Sequence, residues 1–126
     1  MPKPLLLVVD DIFVNRILLK EIISQIDCEC KLASNGKEAI KQLENERFDL
    51  VLMDIEMPVM NGLETTKYIR SKMKEPISKM PIVALTAHNP NDFFDEFNSA
   101  GFDELVTKPY LANKIRELVK KFILDK

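Results

Sequence analysis

Five short apolar runs alternate with stretches of helical periodicity along the chain, and no other feature limits the possible folds as much. The runs predict β-strands at residues 5–9, 29–33, 50–53, 82–85 and 105–107. Four of them are nearly continuous in apolar character, which is typical of strands that are covered on both faces. Because strands that alternate with helices join through right-handed crossovers, we predict an α/β three-layer sandwich with a five-stranded parallel sheet and five helices.

Apolar residues at helical spacing indicate the first and last helices. For the first helix these residues are Val14, Leu18 and Ile22 with Leu19, Ile23 and Ile26. For the last helix they are Leu111, Ile115, Leu118, Val119, Phe122 and Ile123. We expect both apolar stripes to pack against the sheet.

The three intermediate helices are indicated by residues at their ends. Asn35 precedes Glu38 by three positions and Asn61 precedes Glu64 by three, so both pairs resemble capping boxes. Asn89 followed by a proline suits the start of the fourth helix. The apolar stripe and the stop of this helix are then Phe93, Phe94, Phe97, Ala100 and Gly101.

Length and charge exclude several classes of protein. A chain of 126 residues has the size of one domain, and we predict a single domain over residues 1–126 with no output domain in this chain. The formal net charge of -2 gives no basic excess that would indicate nucleic-acid binding. The apolar runs are far shorter than the roughly 18 residues that a membrane span needs, and no signal-like segment precedes them. We therefore expect a cytoplasmic protein.

Cys28 and Cys30 are the two cysteines of the chain, and one residue separates them within the second predicted strand. A metal site needs about four ligands, and no histidine or further cysteine is nearby in the sequence. We predict that both are reduced thiols in or near the core.

Polar residues stand at or just beyond the downstream ends of four predicted strands, namely Asp10, Asp11, Asp54, Thr86 and Lys108. Because the carboxyl ends of parallel strands share one edge, we predict that these residues converge on one site. Two carboxylates about 4 Å apart repel by roughly 4 kcal/mol at an effective dielectric of 20, so the site needs a cation. Oxygen ligands without histidine or thiolate suit Mg²⁺, which makes Asp10 and Asp11 the predicted metal carboxylates.

Asp54 stands alone after its strand, which suits a nucleophile that takes up a phosphoryl group as an acyl phosphate. Phosphoryl transfer needs positioning and charge neutralisation, so we predict Lys108 as a fixed cation and Thr86 as a hydroxyl donor. The backbone N–H of Ala87 would add a further donor. Taken alone, each residue has an ordinary explanation, such as capping of the first helix by Asp10, and the prediction therefore depends on all of them together.

Four separated motifs, LLLVVDD, VLMDIEMPVMNGLE, VALTA and AGFDELVTKPY, resemble the receiver domain of two-component response regulators over nearly the whole chain. The resemblance implies a flavodoxin-like fold with strand order 2-1-3-4-5. It also implies that Asp54 contacts the Mg²⁺ ion and that the backbone carbonyl of Glu56 completes the protein ligands. The phosphoryl donor would be a phosphohistidine on a histidine kinase or a histidine phosphotransfer domain. The chain would then be a phosphorelay signalling domain that catalyses its own phosphorylation and dephosphorylation, not an enzyme with a separate substrate.

The resemblance assigns modulating roles to three further positions. Glu56 and His88 would flank the phosphoryl group and tune how long it lasts. In the family an aromatic residue three positions before the lysine commonly rotates inward when the domain is activated, and here that position is Leu105. Because leucine has neither a ring nor a hydroxyl, we expect the output to use a different coupling or to be weaker.

The sequence also leads to expectations about the output partners. An output protein or a second copy of the chain would bind through the fourth and fifth predicted helices, with one of the phenylalanines facing outward if it is not in the core. We expect no direct binding to nucleic acid or membrane. The chain would be either a stand-alone regulator or a receiver from a hybrid sensor histidine kinase, and the segments IEMPVMNGLE and VALTA favour the hybrid kinase.

Two other functions use related features. A Mg²⁺-dependent aspartyl phosphohydrolase of the haloacid dehalogenase type also has an aspartyl nucleophile at a strand end, but its two aspartates are one residue apart. Here Asp10 and Asp11 are adjacent, Glu56 stands two residues after Asp54, and the chain has no room for a substrate-capping insertion. The second alternative is a receiver-like interaction module that is never phosphorylated.

Overall fold

The computed structural model describes residues 3–87, 99–109 and 111–124, and these ranges contain five β-strands and four α-helices. The strands are β1 Leu5–Val9, β2 Glu29–Ala33, β3 Leu50–Asp54, β4 Ile82–Thr86 and β5 Glu104–Thr107. The helices are α1 Phe13–Ser24, α2 Gly36–Asn45, α3 Gly62–Lys72 and α4 Ala112–Val119. A 3₁₀ turn covers Ile77–Lys79, and a π-helical segment, Lys120–Leu124, continues α4. The start of the predicted fourth helix lies outside the described residues, with Asn89, Pro90, Phe93, Phe94 and Phe97.

All neighbouring strands are parallel, and their order is β2-β1-β3-β4-β5, as predicted. β3 and β4 are each one residue longer than predicted, so Asp54 and Thr86 are the last residues of their strands. The sheet extends to these residues because Asp54 pairs with Leu85 and Thr86 pairs with Thr107. Their side chains are thereby held by the sheet itself.

The sheet has an apolar cluster on each face, which confirms the three-layer sandwich. Alternate residues of the central strands enter the two clusters, as the pleat of a strand requires. Leu6 and Val8 face α1 and α4, whereas Leu7 and Val9 face α2 and α3. The cysteines are free thiols on the α1 side, where Cys28 is buried and Cys30 is partly buried, as predicted.

The predicted apolar stripe of α1 is only partly correct. Leu19, Ile22 and Ile23 are buried, but Val14 is 70% exposed and Leu18 is 43% exposed. At about 100° of rotation per residue, Val14 and Leu18 lie roughly a third of a turn away from the face centred on Leu19. One helix face cannot bury all of these residues against the sheet, so Val14 and Leu18 are left at the surface.

The two predicted capping boxes differ in the structure. The Asn61 side chain accepts from the Glu64 N–H at 2.8 Å, and the Glu64 carboxylate accepts from the Asn61 N–H at 3.1 Å, which completes the box. The Asn35 side chain also accepts from the N–H of Glu38, at 2.9 Å. The Glu38 carboxylate, however, accepts a hydrogen bond from the Ser34 hydroxyl instead of closing the box.

Arg70 on α3 fixes the segment that leads into β5. Its guanidinium donates to the carbonyl of Gly101 at 2.9 Å and pairs with the Asp103 carboxylate at 2.9 Å. The same carboxylate accepts from the N–H of Ile82 at 2.8 Å, which ties the start of β4 to the start of β5. Gly101 has a φ of 98°, so it ends the helical residues before it as predicted.

No helix within the described ranges combines the length and the apolar character that crossing a lipid bilayer requires.

Candidate functional site

The carboxyl edge of the sheet brings together four of the predicted site residues from four different strands. Asp10 follows β1, Asp54 ends β3, Thr86 ends β4 and Lys108 follows β5. Asp10, Asp54 and Thr86 are all buried. The Lys108 Nζ lies 3.3 Å from Asp54 Oδ1 and 3.8 Å from Asp10 Oδ2. Buried carboxylates therefore share one ammonium group at this edge.

Asp11 joins the two buried carboxylates from the exposed side of the same edge. One oxygen of Asp10, one of Asp11 and one of Asp54 all lie within 4.8 Å of one another. Within the described residues, this is the one group of at least three acidic, histidine or cysteine side chains with such spacing. It combines hard oxygen ligands with a high density of negative charge, which favours a divalent cation.

The two oxygens of Asp54 have different surroundings. Oδ1 accepts from Lys108 Nζ at 3.3 Å and from the N–H of Glu56 at 3.3 Å. Oδ2 is buried and has no hydrogen-bond partner in the part of the chain that the structure describes. Burial is the main cause and the neighbouring charge of Asp10 the second cause that raise the pKa of Asp54 to about 6. Lys108 opposes this shift, because its positive charge and its hydrogen bond favour the ionised form.

Gly62 holds the loop after β3 close to Asp54, a role that the sequence pattern did not reveal. Its N–H donates to the carbonyl of Ile55 at 2.8 Å. A Cβ atom at this position would lie 2.3 Å from the backbone carbonyl oxygen of Asp54, so only glycine allows this close approach. A glycine directly after the capping Asn61 was the available signal.

The other predicted residues have more varied positions. The Glu56 side chain is exposed, while its N–H faces Asp54 Oδ1; its carbonyl as a metal ligand stays a prediction. Ala87 is exposed directly after β4, and Leu105 is half-buried in β5, where it pairs with Ala84. His88 lies outside the described residues.

An exposed apolar surface adjoins the site. It consists of Ile12, Phe13, Val14, Ile17 and Leu18, and we refer to it as the α1 patch. These side chains are between 43% and 70% exposed. Since Ile12 directly follows the two aspartates in the chain, the patch begins at the rim of the acidic site. Clustered exposed apolar side chains of this kind mark surfaces that bind other proteins.

The sequence profile of the response regulator receiver domain matches residues 6–120. The chain is 39% identical over 118 residues to hybrid signal transduction histidine kinase A of Dictyostelium discoideum, covering 92% of this chain and 6% of the relative. It is 34% identical over 120 residues to the sensor protein GacS of Pseudomonas syringae pv. syringae, covering 94% and 13%. The chain thus spans a small part of the length of these relatives.

Two solved structures have the same fold. The receiver domain of the sensor histidine kinase PA1611 of Pseudomonas aeruginosa PAO1, with a magnesium ion in its active-site cleft, has a TM-score of 0.87 and 26% identity, covering 96% of this chain and 98% of that one. The receiver domain of Saccharomyces cerevisiae Ssk1 in complex with the histidine phosphotransfer protein Ypd1 has a TM-score of 0.84 and 28% identity, covering 96% and 89%.

The raised pKa of Asp54 predicts that Asp54→Asn stabilises the cation-free protein. The native state holds the proton up to about pH 6 and the unfolded state only to about 3.8, so stability is lost as the pH rises between these values. Above pH 6, ionisation of Asp54 lowers the free energy of unfolding by about 3 kcal/mol in full. We expect urea unfolding in a chelator to show Asp54→Asn more stable than wild type by about 1 to 3 kcal/mol near pH 7.5, and by less than about 1 kcal/mol near pH 4.

The matched control is Asp11→Asn, which removes the exposed carboxylate of the same cluster. We expect it to change stability by less than about 0.5 kcal/mol, because substitutions of exposed side chains usually have effects of this size. A pH-independent difference between Asp54→Asn and wild type would contradict this explanation.

Proposed function

The chain belongs to the response regulator receiver domain family of two-component signalling proteins, and on that basis we propose that Asp54 accepts a phosphoryl group from a phosphohistidine. One observation carries the proposal: the Asp54 carboxylate is buried at the sheet edge beside Lys108, with Asp10 and Asp11 near enough to share a cation. The role of each site residue is part of this proposal.

The donor atoms at this edge fit Mg²⁺. Three carboxylates contribute oxygen atoms within 4.8 Å of one another. The buried Asp54 Oδ2 has no hydrogen-bond partner among the described residues, so a cation there would satisfy it. Asp10, Asp11 and Asp54 would hold the ion together with the backbone carbonyl of Glu56. When bound, Mg²⁺ neutralises the carboxylates and the phosphoryl oxygens that approach them. The magnesium ion in the PA1611 receiver domain supports the choice of metal.

The remaining residues act on the phosphoryl group. An Asp54 oxygen forms a bond to phosphorus while the phosphorus–nitrogen bond of the donor breaks and its electron pair stays on the imidazole. Lys108, now 3.3 Å from Asp54 Oδ1, neutralises the negative charge that arrives, and the Thr86 hydroxyl donates to a phosphoryl oxygen. Attack by water on phosphorus later restores the carboxylate. Glu56 and His88 tune the rate of this hydrolysis.

The exposed α1 patch is the proposed docking surface for the phosphohistidine donor. In-line transfer requires the donor histidine to reach Asp54, so the donor must bind at the rim of the acidic site. The patch begins at that rim with Ile12, and Leu111, which is 68% exposed, lies three residues after Lys108. The complex of the Ssk1 receiver domain with Ypd1 supports a histidine phosphotransfer protein as the partner.

The charge that phosphorylation adds would drive the output. Phosphorylation adds about -1.5 to -2 charges beside Thr86 and Lys108, which biases the segments that follow β4 and β5. Leu105 gives this switch no aromatic ring or hydroxyl. The output partner or second copy would bind through the fourth and fifth predicted helices, of which the fifth is α4. A cytoplasmic location, a single domain and a parent hybrid histidine kinase stay predictions.

Phosphorylation at Asp54 predicts a gain in mass that requires both the Asp54 carboxylate and Mg²⁺. With Mg²⁺ and acetyl phosphate, we expect the intact mass of the wild type to rise by one phosphoryl group, because acetyl phosphate supplies a reactive phosphoryl without a protein partner. Asp54→Asn, and wild type in a chelator, are expected to show no gain. Steady turnover of phosphate esters would instead indicate a phosphohydrolase, and no gain in wild type would indicate an inert module.

The docking proposal predicts that substitutions in the α1 patch slow phosphorylation by a protein donor but not phosphorylation by acetyl phosphate. We expect Val14→Ser with Leu18→Ser to slow transfer from phosphorylated Ypd1 by about tenfold or more, because buried apolar contacts at an interface are lost. Phosphorylation by acetyl phosphate is expected to be unchanged. Tyr68→Ser, at an exposed site on α3, is the control and should leave both rates unchanged. Equal slowing with both donors would mean that the variant damages the acidic site.

A further inference from the structure

Arg16 connects the acidic site to the α1 patch through two contacts of its guanidinium. Nη1 donates to the backbone carbonyl of Asp10 at 2.7 Å. The guanidinium carbon lies 5.7 Å from the centroid of the Phe13 ring, which is a cation–π distance. Arg16 is half-buried, whereas Phe13 is 65% exposed. The arginine therefore lies between a surface ring and the backbone of a buried carboxylate.

The contact to Asp10 completes a set of bonds that orients this residue. The Asp10 N–H donates to the carbonyl of Ala33 at 3.1 Å, which keeps Asp10 aligned with the neighbouring strand. Its Oδ1 accepts from the N–H of Ile12 at 2.9 Å, which fixes the carboxylate relative to the turn. Of these three bonds, the one from Arg16 is made by a side chain from α1. It ties the turn to the helix and thereby limits rotation of the Asp10 backbone.

We propose that Arg16 is a positioning residue that holds Asp10 in the orientation needed to bind a divalent cation. This inference rests on the proposed function, because it concerns the affinity of the same site for Mg²⁺. Partners that orient metal ligands from outside the coordination sphere are typically worth 10- to 100-fold in metal affinity. The Phe13 ring contributes by keeping the guanidinium over the first turn of α1.

A positioning role and a purely electrostatic role of Arg16 predict opposite changes in Mg²⁺ affinity when Arg16 is neutralised. A positive charge beside a cation site repels the cation, so removing the charge alone would tighten Mg²⁺ binding. Loss of the bond to the Asp10 carbonyl lets the carboxylate reorient, which weakens Mg²⁺ binding. The direction of the change therefore separates the two roles without any measurement of phosphorylation.

The test is a calorimetric titration of the whole chain with MgCl₂. We expect Arg16→Gln to weaken Mg²⁺ binding by about tenfold and Arg16→Lys to weaken it less, since the lysine ammonium can still donate to the Asp10 carbonyl. The matched control is Arg47→Gln, an exposed charge change in the segment before β3, which should bind Mg²⁺ as the wild type does. Unfolding midpoints in a chelator are compared to show that each variant is folded.

Binding of Mg²⁺ by Arg16→Gln as tightly as by wild type, or more tightly, would overturn the inference and leave the proposed function intact. No Mg²⁺ binding by the wild type would overturn the proposed function and the inference with it. If Arg16→Gln does not fold, Phe13→Leu decides: it removes the ring beside the guanidinium, and we expect it to weaken Mg²⁺ binding about threefold. Wild-type Mg²⁺ affinity in Phe13→Leu would then overturn the inference.

Discussion

Repulsion between two buried carboxylates at the sheet edge is the constraint on which the rest of the site depends. Asp10 and Asp54 are both buried, and burial together with the charge of Asp10 raises the pKa of Asp54 to about 6, although the shared Lys108 opposes this shift. The fold keeps the two carboxylates close despite their repulsion because β1 and β3 are adjacent parallel strands whose ends cannot separate. A cation bound here would remove part of the repulsion, so metal affinity, phosphoryl acceptance and stability are linked through one charge balance.

The sequence predicted most of this arrangement, for a physical reason. Apolar runs determine the strands, and parallel topology then places every strand end at one edge, so Asp10, Asp54, Thr86 and Lys108 had to meet. The features that the sequence did not predict depend on how the helices and loops pack in three dimensions. The exposed face of α1 depends on which of two apolar sets meets the sheet. The contacts of Arg16 and Gly62 are with backbone carbonyls, and the one sequence signal for them is the glycine directly after the capping Asn61.

The geometry explains how a signal is received better than how it is transmitted. The α1 patch, Arg16 and the acidic site form a continuous path from an exposed surface to Asp54. Binding of a donor at Phe13 would therefore reach Asp10, the proposed metal carboxylate, through one side chain, and by linkage the metal would affect donor binding equally. On the output side, Leu105 replaces the aromatic residue expected from the family resemblance, and residues 88–98 lie outside the description.

Asp54 is the residue that we propose carries the phosphoryl group. Borohydride reduces an acyl phosphate of aspartate to homoserine, so treatment of the phosphorylated chain followed by peptide mass spectrometry locates the modified residue directly. We predict homoserine at position 54 after incubation with Mg²⁺ and acetyl phosphate, and unmodified aspartate at positions 10 and 11. Homoserine at position 10 or 11, or an unmodified position 54 in a chain that has gained a phosphoryl group, would contradict the account.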